Sequence, residues 1–474
     1  MDLIGRKEEQ LILKHCYQST QSRLVAIYGR RRIGKTFLVR KYFDHKIRFE
    51  VSGLYRGNMS DQLAHFSQAI ARAGFVPASL TPPATWMSAF SLLALYLDQF
   101  KDGSKKIIFI DELPWFDTPR SKFLMAFENF WNEYCSRRND VMVIICGSAA
   151  SWMIKKIMNN KGGLHNRVSE KIHLAPFTLA ETEKFLKIKG IRWSQYDIAQ
   201  LYMTTGGIPY YLDAIRKGES VTQFIDRACF TEQGVLYAEY ENLYDSLFAE
   251  SEHHRTVVAL LAGHKQGLLR DQIILKTKLR TGGTMTKILD ELEKSGFIST
   301  MIPFGKNKNK ALYKLNDFFS LFYFKFMARG NKRMKNEWSK IVTGSSWQSW
   351  SGLAFERLCF AHIPQIKNAL GLSVIQSAIS CWQSQSIDEG AQIDMIIDRS
   401  DGVINACEIK FSKTEFVIDK AYAKNLRNKL NSMETTVKKK NIFLTMIATF
   451  GTADNEYYKE LVQSEVTLED LFRE

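Results

Sequence analysis

Cysteine is scarce in this chain: 7 among 474 residues, at positions 16, 135, 146, 229, 359, 381 and 407. Their number is odd, they are scattered and no C-x-x-C pair occurs. This argues against a disulfide framework or a zinc knuckle and for small buried apolar residues in a reducing cytoplasm. Long apolar runs are missing too. No window approaches the roughly 18 uninterrupted apolar residues of a membrane span. The opening Met1-Asp2-Leu3-Ile4-Gly5-Arg6 lacks a signal-peptide pattern. A cytoplasmic protein without membrane attachment is therefore expected. Acidic residues are in deficit, with 50 Asp and Glu against 65 Lys and Arg, a net charge of +15. That balance favours polyanionic partners, nucleic acid first, although solubility alone can account for it. The composition that remains is globular, 45% hydrophobic and 12% aromatic, in a chain long enough for about two to four domains.

The stretch around which the chain is organised is Leu24 to Arg40. Leu24-Val-Ala-Ile27 reads as a buried strand, and Gly29-Arg30-Arg31-Arg32-Ile33-Gly34-Lys35-Thr36 follows the phosphate-loop spacing G-x-x-x-x-G-K-T. Phe37, Leu38 and Tyr42 then suit a helix. The glycines let the backbone curl its N–H groups towards phosphate oxygens, and the helix N-terminus adds partial positive charge. Lys35 reaches the β- and γ-phosphates, and the Thr36 hydroxyl binds Mg²⁺. The plain alternative, a Gly-rich turn, explains neither the strand before nor the helix after.

Lys105-Lys-Ile-Ile-Phe-Ile-Asp111-Glu112 is the second signal. Four consecutive apolar residues predict a strand buried on both faces, as in parallel α/β sheets, with an acidic pair at the end where such sheets bind ligands. About 75 residues after a phosphate loop, Asp111 is expected to hold Mg²⁺ through water and Glu112 to polarise the attacking water. A third buried strand, Val141 to Cys146, ends at Gly147-Ser148, where Ser148 could touch the γ-phosphate or the water. On the loop that follows, Arg167 is either an arginine finger to a neighbouring subunit or a solvated side chain.

Residues 171 to 245 read as mainly helical, with a break at Thr205-Gly206-Gly207-Ile208-Pro209. Between 254 and 316 come three short helices (His254 to Ala262, Leu269 to Leu279, Thr284 to Lys294). Two short strands then flank the basic tip Gly305-Lys-Asn-Lys-Asn-Lys310, a winged helix-turn-helix order. The third helix would enter the major groove and the tip would meet phosphates, but Asp290, Glu291 and Glu293 oppose this, and such units also serve purely as packing modules. A linker is expected near 330 to 345.

The C-terminal part opens with a helix, Gly352 to His362, carrying Glu356. A hairpin follows, Ala391 to Asp398 and Val403 to Phe411, turning around Asp401. Alternation puts Glu408 and Lys410 on one face, and the turn places Asp394 across from Glu408. Two carboxylates at one point call for a cation, Mg²⁺ or Mn²⁺, with Lys410 orienting water and Glu356 approaching from the helix. The alternative is a solvated charged hairpin, which the surrounding Ile393, Met395, Ile396, Ile397, Cys407, Ile409 and Phe411 disfavour.

With these residues in place, the chain resembles the archaeal-type P-loop ATPase family, related to AAA+ and STAND ATPases, over nearly its whole length. The family's I-G-R-x-x-E element matches Ile4, Gly5, Arg6 and Glu9, which the resemblance implies near the adenine. G-R-R-R-x-G-K-T matches Gly29 to Thr36, D-E matches Asp111 and Glu112, and C-G-S matches Cys146 to Ser148, implying a sensor role for Ser148. G-G-x-P-x-Y-L matches Gly206, Gly207, Pro209, Tyr211 and Leu212, where a lid would begin and Pro209 would join the nucleotide site. Members of this layout carry a winged helix and a domain similar to PD-(D/E)xK restriction-endonuclease-like folds, which Glu356, Asp394, Glu408 and Lys410 fit. Where family members often have a Tyr-Gly-Arg-like element, this chain has Leu164-His165-Asn166-Arg167.

The expected architecture is α/β and multidomain. It comprises a parallel-sheet, AAA+-like P-loop ATPase core (1–170), a helical lid (171–250), a winged helix (251–330) and a restriction-endonuclease-like α/β domain (331–474). The expected function is a DNA-associated ATPase, binding ATP or ADP with Mg²⁺, whose nucleotide state regulates a metal-dependent nuclease. The rival is a nucleotide switch that binds DNA or a partner protein and carries a nuclease-like domain that does not cut; a partner protein or further copies of the chain are the other partners considered. A DNA binder should lose affinity steeply with salt, whereas a protein-binding switch need not.

Overall fold

The computed structural model describes residues 3–75, 83–159, 162–164, 166–248, 250–280, 282–328, 338–384, 391–437 and 439–474. The chain divides into two compact units, Met1–Pro176 and Phe177–Glu474.

In the first unit the apolar runs form strands β1 (Arg23–Tyr28), β3 (Lys106–Asp111) and β4 (Val141–Gly147). Every residue of β3 and β4 is buried, as parallel strands covered on both faces require. Two edge strands, β2 (Ile47–Ser52) and β5 (Glu170–His173), complete a sheet of order β2-β3-β4-β1-β5 in which all pairs are parallel. Helices supply the crossovers that parallel strands need: Lys35–Phe43 after β1, Met59–Arg72 and Trp86–Leu97 after β2, and Phe123–Asn129 after β3. Trp86 anchors one layer, edge-on to Phe123 at 4.9 Å and to Phe116 at 5.5 Å. The register decides what emerges where. Tyr28 pairs with Gly147 and Ile110 with Ile145, so the segments after β1, β3 and β4 leave the sheet side by side at its C-terminal edge.

Residues 171–173 were expected to begin a helical region. They extend instead as β5, hydrogen-bonded along the otherwise open edge of β1, and the first helix of the second unit begins at Leu179.

That second unit opens with helices Leu179–Ile188, Gln195–Thr205, Pro209–Asp213, Val221–Phe230 and Glu239–Leu247. Helices Ser251–Ala262, Arg270–Thr277 and Gly283–Lys294 follow, against a small antiparallel sheet of β6 (Leu268–Leu269), β7 (Ile298–Met301) and β8 (Leu312–Leu315), in the order β6-β8-β7. The linker expected near 330–345 lies outside the described residues up to 337. Beyond that, Trp338–Ile341 is helical, because Trp338 is buried against Phe230, Phe322 and Phe326. The expected C-terminal helix is longer than its apolar pattern, running from Ser345 to Ala361. A second five-stranded sheet ends the chain: β9 (Ser377–Gln383), β10 (Gln392–Arg399), β11 (Val403–Lys410), β12 (Asn441–Ala448) and β13 (Val462–Thr467), in the order β13-β12-β11-β10-β9. β9, β10 and β11 pair antiparallel, and β11, β12 and β13 parallel. The crossover from β11 to β12 is the helix Lys420–Glu434, which buries Ala423, Leu426 and Met433.

Candidate functional site

Gly29, just past the end of β1, has φ +145°, and a Cβ there would stand 2.3 Å from the Leu174 carbonyl oxygen. Gly34 has open space around it but φ +91°, so what it needs is conformational. Together they turn the chain into the helix Lys35–Phe43, whose first residues are Lys35 and Thr36.

Lys35 is buried, and its ammonium donates to the Gly29 and Arg30 carbonyls, both at 3.0 Å. Burial pulls its pKa down, and the nearby Glu112 and Asp111 carboxylates oppose that fall. The Thr36 hydroxyl donates to Asp111 Oδ2 at 2.6 Å, joining two motifs 75 positions apart. Burial pushes the Asp111 carboxyl up, against the Thr36 bond, which holds it down. Glu112 has left-handed backbone, φ 45° and ψ 48°, an uncommon conformation for a residue with a side chain and one that concentrates at functional sites. Its carboxylate accepts from the Ser148 hydroxyl at 2.6 and 2.8 Å and from the Ser148 N–H at 3.1 Å. Arg6, buried at the start of the helix Lys7–Gln18, donates to the Ile33 carbonyl at 3.4 Å, so the Ile4-Gly5-Arg6 element touches the loop.

The structure thus brings Arg6, Gly29 to Thr36, Asp111, Glu112 and Ser148 together. Arg30 and Ile33 are buried, Arg31 and Arg32 half-buried, and Phe37 is exposed on the helix. Arg167 is exposed in a turn whose N–H donates to the Leu164 carbonyl; His165 lies outside the described residues. Pro209 belongs to the second unit, opening a helix just after Gly206 and Gly207. The donor set fits a nucleotide with its magnesium: backbone amides at a glycine turn, one buried ammonium, and a hydroxyl beside one carboxylate. Mg²⁺ in such sites keeps several waters and needs few protein ligands. Among the described residues of either unit, no group of three or more metal-ligating His, Cys, Asp or Glu side chains assembles.

Residues 3–215 match the family model described as an ATPase domain predominantly from Archaea. This chain belongs to the P-loop ATPases. It is 25% identical over 398 residues to the uncharacterized protein MJECL04 of Methanocaldococcus jannaschii, covering 83% of each chain. It is 40% identical over 43 residues to the uncharacterized ATP-binding protein MJ0423 of the same organism, covering 9% of this chain and 73% of that one. Among solved structures it is similar to the Walker-type ATPase PABY2304 of Pyrococcus abyssi, with a TM-score of 0.49 and 16% identity, over 68% of this chain and 96% of that one. No helix among the described residues is long and apolar enough to cross a membrane.

The ATPase carries a second constellation in its C-terminal sheet. β10 and β11 pair Met395 with Cys407, and the same register carried one residue further sets Asp394 across from Glu408. Asp394 Oδ2 accepts the Ile409 N–H at 3.0 Å. Burial pushes the Asp394 carboxyl up, and the neighbouring Glu408 adds to the rise. Glu356, on the helix Ser345–Ala361, is pushed up by burial and by Asp394. Lys410 Nζ stands 3.6 Å from Glu408 and 4.9 Å from the centre of the Tyr422 ring. Sequence reasoning missed two members. Tyr422 donates its hydroxyl to Glu408 Oε2 at 2.8 Å, and Lys429 donates to Oε1 at 2.7 Å. Their only sequence signal is a spacing of two helical turns on the crossover helix, which sets both on the face turned to β11.

Proposed function

We propose that this ATPase is DNA-associated and that its nucleotide state regulates a metal-dependent nuclease in the C-terminal sheet. In the first site Lys35 would exchange the Gly29 and Arg30 carbonyls for β- and γ-phosphate oxygens. Thr36 and Asp111 would hold Mg²⁺, and Arg6 would stand by the adenine. ATP with Mg²⁺, held by these groups, would supply the scissile phosphoanhydride. Glu112 would orient the attacking water and draw on its proton, with Ser148 fixing the carboxylate through two donors. Arg167, on an exposed turn, is suited to reach the nucleotide of another copy.

The nuclease reading is carried by one observation: Asp394 stands across from Glu408 on the paired strands β10 and β11, with Lys410 3.6 Å from Glu408 and Glu356 feeling the Asp394 charge. Asp394 and Glu408 would hold Mg²⁺ or Mn²⁺, and Lys410 would orient water. The helices Ser251–Ala262, Arg270–Thr277 and Gly283–Lys294 with the β6-β8-β7 sheet support a winged helix, whose exposed Lys306, Lys308 and Lys310 would meet phosphates. The engagement of both Glu408 oxygens by Tyr422 and Lys429 favours the second reading, a nucleotide switch with a non-cutting domain. The two part in a cleavage assay on plasmid and single-stranded DNA with Mg²⁺ or Mn²⁺. Cutting by the wild type and none by Glu408→Ala is expected; no cutting by a wild type that still binds DNA and hydrolyses ATP would move the assignment to the switch.

A further inference from the structure

Glu408 is 1% exposed, and a carboxylate so placed must be met by cations and donors. Here the compensation comes from one helix: Tyr422 and Lys429, seven positions apart on Lys420–Glu434, each take one Glu408 oxygen, at 2.8 and 2.7 Å. Lys410 adds a second ammonium at 3.6 Å, held under the Tyr422 ring. Asp394 is partly satisfied by the Ile409 N–H, and Glu356, itself within the influence of Arg357 and Lys314, adds a further carboxylate to the cluster. A divalent ion shared by Asp394 and Glu408 would stand within about 2.0–2.6 Å of their oxygens. Both Glu408 oxygens are already taken, one of them by the Lys429 ammonium with Lys410 close by, so a divalent ion on that carboxylate would meet positive charge already in place.

We propose that Lys429 is an internal cation that holds Glu408 in place of a divalent metal, so that loading Asp394 and Glu408 with metal requires Lys429 to leave. This rests on the metal-site reading above. It makes the crossover helix a gate on that site: with Lys429 engaged, Glu408 is neutralised and metal is admitted only at high concentration. Lys429 is a positioning residue here, and its side chain is 17% exposed against 1% for Glu408.

The test is Mn²⁺ titration of the full chain, followed by water-proton relaxation, without nucleotide and in an Asp111→Asn background that silences the first site. Lys429→Gln, which keeps a donor to Glu408 but no charge, should bind Mn²⁺ about tenfold tighter or more, and Lys429→Arg no tighter than the parent. No tightening in Lys429→Gln, with binding still lost in Glu408→Gln, overturns the role of Lys429 and leaves the metal site standing. Equal tightening by Gln and Arg also overturns it, because loosened packing is then the cause. If neither the parent nor Lys429→Gln binds Mn²⁺, the metal site itself falls and this proposal with it. A measurement on the unsubstituted chain guards against a misfolded variant: saturating Mn²⁺ should raise acetylation of Lys429 by acetic anhydride, read by mass spectrometry, and unchanged or lowered labelling contradicts the gate.

Discussion

Lys35 makes two hydrogen bonds to its own loop, and both acceptors are carbonyls that a phosphate oxygen can replace. Truncating it removes the buried positive charge of the site while leaving the glycine turn and the Thr36–Asp111 bond. Lys35→Ala is therefore expected to abolish ATP binding, measured with a fluorescent nucleotide; binding as tight as wild type would contradict the assignment. Ser148 acts at one remove. Its hydroxyl and N–H both hold Glu112, so Ser148→Ala should lower the hydrolysis rate about 10- to 100-fold, in the range of a lost preorganising donor, with ATP affinity kept. An equal loss in affinity would make Ser148 a binding residue instead. These residues were legible in the sequence because each follows a buried apolar run whose end is fixed by the sheet. Tyr422 and Lys429 were not, because only the docking of a helix onto β11 brings them to Glu408.

At the scale of elements, the central strands β1, β3 and β4 announce themselves as unbroken apolar runs, whereas the edge strands do not. β5, Glu-Lys-Ile-His, buries only Ile172, and β2 alternates buried and half-buried residues, so neither carries the signal of a two-sided core. The long helix Ser345–Ala361 hides its start for a related reason: from Ser345 to Trp350 it carries exposed Ser and Gln, and only Trp347 and Trp350 are buried there, by aromatic packing and not by an aliphatic stripe. Where that helix ends, His362 is a sensor of pH. Its Nε2 accepts the Leu179 N–H at 3.0 Å and its Nδ1 donates to the Leu358 carbonyl at 2.9 Å, which the neutral ring satisfies. Burial pushes its pKa down from 6.5 to about 4. The unfolded chain thus binds the extra proton first, and this stability is complete above pH 6.5 and lost as pH falls towards 4. Urea unfolding across that window should show a loss of up to about 3 kcal/mol from this group. His362→Gln, which keeps an acceptor for Leu179, should remove that part of the slope; an unchanged slope would assign it elsewhere.

At the scale of the whole molecule, the ATPase joins a unit whose chemistry is compressed into short motifs to one whose chemistry is dispersed. The residues of the first site lie in four brief segments, three at the ends of strands of a single sheet and one, with Arg6, at the start of a helix. Those of the second run from Glu356 to Lys429, on a helix, a hairpin and a crossover, so only Asp394, Glu408 and Lys410 could be aligned by counting along a hairpin. The net charge of +15 suits a chain that works on a polyanion. The account's central claim is that the nucleotide state of the first unit governs cutting by the second. Its most direct test is the rate of plasmid cleavage in Mn²⁺ with and without ATP, for the wild type beside Lys35→Ala. The account predicts that ATP changes the wild-type rate and leaves the Lys35→Ala rate where it was. Rates indifferent to ATP in both proteins, or a Lys35→Ala variant that answers ATP as the wild type does, would contradict it.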